Sequence, residues 1–121
     1  PWAGAGAGAG GKRLRALADW HFGGGLDYCW ACESLCDDCP RREHAPLTLE
    51  GRQVWELAQA IGGQLRTMGD RVIGLDFGAA FAMADAMGVP RAAVGQLLPG
   101  VEAAAVTALN RQIREAGDAD D

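Results

Sequence analysis

A chain of 121 residues with a formal net charge of -5 fits one domain. Its charge repels nucleic acid and anionic membrane at long range, which favours proteins or small molecules as partners. Composition is that of a soluble globular protein, 49% hydrophobic and 22% charged, but with only 7% aromatic residues the core must be small and shallow. No unbroken run approaches the ~18 apolar residues of a membrane span, and no basic-then-apolar leader opens the chain, so a cytoplasmic location is expected. The first residue is Pro1, not Met, which suggests that something upstream is missing.

Residues 1–26 read as a leader. The stretch AGAGAGAGG at 3–11 has no side chain larger than methyl, so ordering it costs backbone entropy without burial in return, and a flexible tether is expected. Leu14, Leu17, Ala18 and His21 then fall on one side of a short helix that Gly23-Gly24-Gly25 ends. The clusters Lys12-Arg13-Arg15 and Arg41-Arg42 are short and read as solvated surface charge.

Residues 27–45 carry all four cysteines, Cys29, Cys32, Cys36 and Cys39, in a C-x2-C-x3-C-x2-C pattern. Two-residue gaps let neighbouring thiolates point at one cation, and four thiolates satisfy tetrahedral zinc with no open position, so the expected metal site is structural. A [4Fe-4S] cluster is the alternative: it also takes four thiolates, and Pro40 follows the last one, although bacterial ferredoxins space their cysteines 2, 2, 3. Paired disulfides or free thiols stay open as well; so tight a spacing would strain two bridges. Cys32, Cys36 and Cys39 also match the cluster motif of radical enzymes that use S-adenosylmethionine, but those need a barrel far larger than this chain. His44 could replace one thiolate, though its plain reading is a loop histidine. Trp30, inside the cysteine loop, would shield the metal or dock the loop.

Residues 46–117 read as a helical domain. Thr48 can cap a helix whose stripe is Val54, Leu57, Ala58, Ile61, Leu65 and Met68, with Gly62-Gly63 as an interruption explained by a bend or a close neighbour. After a turn at Gly69-Asp70, Asp76 caps a second helix with the stripe Phe77, Ala80, Phe81, Ala84 and Met87, closed by Gly88. Pro90 opens a third, whose stripe runs from Val94 to Ile113 across Pro99, where a kink or two helices end to end are expected. Gly117 ends it, and 118–121 is an acidic tail. No period-two alternation is sustained, so no sheet is expected.

Catalytic groups are scarce: two histidines, Tyr28 as the lone tyrosine and Ser34 as the lone serine, with no P-loop, dinucleotide fingerprint or H-E-x-x-H. The sequence therefore points away from an enzyme. Trp55 lies one position off its helix's main stripe and suits either an interface anchor or the flank of the core.

From Pro46 to Ile113 three stretches stand out: LTLEGRQVWELAQAIGGQLRTMG, GLDFGAAFAMADAMGV and LLPGVEAAAVTALN. They resemble the small tail assembly chaperones of long-tailed bacteriophages and of their prophage and gene-transfer-agent relatives. The matching features are a Trp-bearing helix ending in Gln64-Leu65-Arg66, the Gly74-Leu75-Asp76 entry to the next helix, Gly88-Val89 closing it, and a last helix with Val101-Glu102 and Ala108-Leu109. The chain departs from the pattern at Leu65, where the family favours tryptophan. Some relatives carry a short cysteine-bearing segment ahead of the first helix. The resemblance implies a non-catalytic role in the bacterial host cell, keeping the tape measure protein soluble and bringing tail-tube subunits to it. In such systems the downstream part of the chaperone is often made by frameshift.

The expected architecture is thus mainly α: a three- or four-helix domain preceded by a four-cysteine metal knuckle and a flexible Gly/Ala leader. Shallow Ala-rich helix faces leave apolar stripes for a partner helix to fill, and the candidates are Trp55, Leu57, Ile61, Leu65 and Phe81. A rival function is a small zinc-knuckle regulator touching nucleic acid through Arg41-Arg42 and the Lys12 to Arg15 cluster; a third is an iron-sulfur protein.

Overall fold

The computed structural model describes residues 2–25 and 44–120, with side chains described over 11–25 and 44–118. In chain order come helix α1 (Trp2–Trp20), a π-helical turn (His21–Gly25), α2 (Leu49–Ala60), strands β1 (Leu65–Met68) and β2 (Arg71–Leu75), α3 (Phe77–Met87) and α4 (Arg91–Asp120). The mainly α expectation holds. Helix α4 is the spine: it packs against α1, the π-turn, α2, β2 and α3.

The expected burial in α1 is met, with Leu14 and Leu17 about 1–2% exposed and Ala18 fully buried. The helix nevertheless begins at Trp2 and takes in the stretch at 3–11 that reads as a tether. Alternate residues there are Ala, the best helix former, and α4 supplies a wall along which the helix runs. Small residues let the two backbones approach: a methyl on Gly100 would lie 4.0 Å from the Gly11 carbonyl oxygen. After Trp20 the chain leaves helical geometry at Gly24, whose φ of 119° is open to glycine and strained for other residues.

Thr48 caps α2 as expected, its Oγ1 accepting from the Gly51 N–H at 3.0 Å. Val54, Leu57, Ala58 and Ile61 form its buried stripe, and Arg52, Glu56 and Gln59 its exposed side. The helix stops at Ala60, so the sequence-based stripe does not continue to Leu65 and Met68. Those residues form β1 of an antiparallel hairpin, against the expectation of no sheet. The physical reason lies at its ends. Gly62-Gly63 weaken helix continuation by about 1 kcal/mol each. Gly69 takes φ 62° at the first position of a two-residue loop between the paired Met68 and Arg71, a position that favours glycine. A bulge follows, since Arg66 pairs with Gly74 but Thr67 with Val72, leaving Ile73 extra.

Asp76 caps α3, accepting from the Ala79 N–H at 3.0 Å, and Gly88 ends it in the left-handed conformation with φ 76°. Helix α4 starts one residue after Pro90, whose carbonyl accepts the Val94 N–H at 3.2 Å. It runs as one helix through Pro99, in place of the expected alternative of two helices end to end, and past Gly117 to Asp120, beyond the expected end. Pro99 and Gly95 both lie on the exposed side, where water can satisfy the carbonyl that proline leaves without a donor.

Judged by mean hydropathy instead of an unbroken apolar run, α4 is long and apolar enough to cross a membrane over Arg91–Asp118, and 44% of its apolar 18-residue window is buried in the fold. Its apolar side, with Val94, Leu97, Leu98, Val101 and Ala104, packs into the core shared with the other helices.

Candidate partner-binding surface

Two side chains of α4 fix the hairpin. Asn110 holds Val72 at both backbone groups: Oδ1 accepts the Val72 N–H at 2.8 Å and Nδ2 donates to the Val72 carbonyl at 2.9 Å. Eight residues earlier, Glu102 Oε2 accepts the Leu75 N–H at 2.9 Å. The same oxygen would be 2.8 Å from a Cβ at Gly74, so a side chain there would push the carboxylate tip aside. Together these side chains take the place of a neighbouring strand along β2 and leave Val72 and Leu75 buried beneath. Beyond them, Asp70, Arg71, Thr107, Asn110, Ile113 and Arg114 line an open groove between the hairpin loop and the end of α4.

Helix α3 is unusual in the opposite sense. Its inner side buries Ala80 and Ala84, with Phe77 and Phe81 packed beside them. Its outer side is apolar too: Ala82, Met83, Ala86 and Met87 are all exposed, the methionines at 39% and 40%. These positions recur at one, three and four residues, which is a continuous helical face. Asp85 is the one charged residue on the helix, held 3.3 Å from Arg91 just past its end, and Arg91 in turn lies over the Phe81 ring at 4.9 Å. A helix that is apolar all round belongs in an interior, and this one has an interior on one side only.

The residues singled out from sequence sort differently. Leu57 and Ile61 are 0% and 1% exposed, so they are core and cannot meet a partner without unfolding, which corrects their assignment to a binding surface. Leu65 is half-buried, against the core. Phe81 is half-buried under Arg91. Trp55 is half-buried in a ring cluster, edge-on to His21 at 5.1 Å and to Phe22 at 6.3 Å, where it closes the core at the π-turn. Gln112 Nε2 ties that turn to α4 by donating to the Phe22 carbonyl at 2.7 Å. Of the basic cluster on α1, Arg13 donates from Nε to the Ala45 carbonyl at 2.6 Å, while Lys12 and Arg15 are exposed.

Cys29, Cys32, Cys36 and Cys39, with Trp30 and Arg41-Arg42, lie outside the described residues. Among the described residues no group of three or more His, Cys, Asp or Glu side chains comes together.

Sequence reasoning missed Met83 and Met87 as surface. The available signal was composition: FGAAFAMADAM has one charged residue and no other polar side chain, so no face of that helix suits water.

A family of unknown function, DUF7697, matches residues 65–119, which take in the hairpin, α3 and nearly all of α4 and amount to under half of the chain. No curated protein and no solved structure matches the chain.

Proposed function

We propose that this chain is a non-catalytic assembly protein of bacteriophage tails, binding an apolar helical segment of a tape measure or tail-tube protein along the outer face of α3. The observation that carries the reading is the exposed run Ala82, Met83, Ala86 and Met87, on a helix whose opposite side is already committed to the core. Recognition of a partner helix uses anchors at this spacing, and methionine adapts to partners of uneven shape. The resemblance of 46–113 to tail assembly chaperones supplies the biological setting. Helix α4 serves this reading as a core helix, because its apolar side is used against α1, α2 and α3.

The reading includes a structural ion held by Cys29, Cys32, Cys36 and Cys39 ahead of the helical domain. Four thiolates at these gaps suit zinc, and a closed site of that kind stiffens a loop without supplying chemistry.

Co-expression with the tape measure and tail-tube proteins of a phage or prophage encoding this chain tests the proposal. The wild-type chain is expected to co-purify with one of them and to keep it soluble. Met83→Glu with Met87→Glu should abolish this while leaving the circular dichroism spectrum unchanged. Capture of neither protein, or capture indifferent to the double substitution, would contradict the proposal.

A further inference from the structure

The hairpin carries a second surface, distinct from the α3 face in position and in chemistry. Thr67 pairs with Val72, and Leu65 with Leu75. The N–H groups of Val72 and Leu75 point away from β1, since Asn110 and Glu102 take them. In an antiparallel ladder the residues of such a pair turn their backbone groups to opposite edges. Thr67 and Leu65 therefore direct N–H and C=O outward from β1, where no partner meets them among the described residues. With β2 closed by α4, the sheet can grow only at β1.

Charge then selects what would be added. Arg66 and Met68 share one face of β1, and Arg71 lies opposite Met68 on the same face. Arg66 and Arg71 are both exposed and make no ion pair among the described residues. Met68 at 69% and Ile73 at 48% exposure add apolar area beside them. A cationic and apolar face on an open strand edge, in a chain of net charge -5, disfavours a second copy of the same strand. A symmetric pairing of β1 with itself through Leu65 and Thr67 would set Arg66 against Arg66.

We infer that β1 accepts an extended peptide segment as a third strand, one with carboxylates and apolar side chains in alternation. Its backbone would bond to Leu65 and Thr67, and its carboxylates would face Arg66 and Arg71. An isolated two-stranded hairpin is marginal in water, and a third strand strengthens it.

The probe is a soluble peptide of alternating valine and glutamate, titrated into the isotopically labelled full chain at low salt, with a valine–lysine peptide and anionic lipid vesicles as controls. The valine–glutamate peptide should bind, slow hydrogen exchange at the Leu65 and Thr67 amides and lose affinity as salt rises. Arg66→Glu with Arg71→Glu should weaken it at least about tenfold and should let the valine–lysine peptide bind instead. Thr67→Pro removes an N–H that the hairpin does not use and should weaken binding with both arginines in place. Absence of binding, equal binding of the two peptides, binding without protection at Leu65 and Thr67, or capture by vesicles in place of the peptide would each overturn the inference. Met83→Glu with Met87→Glu should leave this binding unchanged, so the hairpin site and the α3 reading can fail separately.

Discussion

Helices α2 and α3 are nearly equal in length, at 12 and 11 residues, yet the fold treats them differently. Helix α2 buries Val54, Leu57, Ala58 and Ile61 and turns Arg52, Glu56 and Gln59 outward, with Leu49 in its first turn as its one exposed large apolar side chain. Helix α3 buries only Ala80 and Ala84 fully and turns Met83 and Met87 outward. An amphipathic helix states where its core is. A helix apolar on both sides leaves half of its surface for something else to cover, and that contrast carries the functional proposal.

Substitutions can break the comparison at several levels. Leu57→Ala, in the finished helix, should cost about 2–5 kcal/mol through lost contact and a cavity, read as a lower denaturant midpoint. If it costs no more than a surface change, α2 is not the core helix described. Asn110→Ala removes both bonds to Val72 and should cost about 1–3 kcal/mol, with faster amide exchange confined mainly to the hairpin. Thr48→Ala should cost about 1 kcal/mol by uncapping α2, and Asp76→Ala about the same for α3, both seen in thermal melts. Smallest of all, Met83→Glu and Met87→Glu should each change stability by no more than about 0.5 kcal/mol, as at an ordinary surface. A large loss there would place these side chains in the core and erase the difference between the two helices.

Local chemistry was the legible part of the sequence. Thr48, Asp76 and Gly88 act within one turn of themselves, so their roles as caps follow from residue type and position, and the structure has each in place. The buried side of α1 was legible for the same reason, at Leu14, Leu17 and Ala18. The hairpin was hidden by coincidence of spacing: Leu65 and Met68 lie four and seven residues after Ile61 and continue a helical period that Gly62-Gly63 has already broken. Its decisive partners are remote, because Glu102 and Asn110 lie 27 and 38 residues from the backbone groups they hold.

The face proposed for docking was not placed by the sequence. Apolar stripes left for a partner were expected, yet Leu57 and Ile61 were assigned to them from periodicity, and periodicity marks burial before it marks binding. The four-cysteine motif is the most specific chemical signal in the chain, and it predicts about one zinc per polypeptide in elemental analysis of protein purified without chelator. A brown protein absorbing near ~400 nm would replace zinc with an iron-sulfur cluster, and no bound metal would remove the knuckle altogether.

The central claim is that the outer side of α3 is a binding face and not unfinished core. Isothermal titration of the purified chain with a tape measure fragment, beside the Met83→Glu, Met87→Glu double variant, tests it most directly. Affinity reduced at least about tenfold in the variant, with an unchanged melting temperature, is the predicted result. Equal affinity in both proteins, or a variant that has lost its fold, would contradict it.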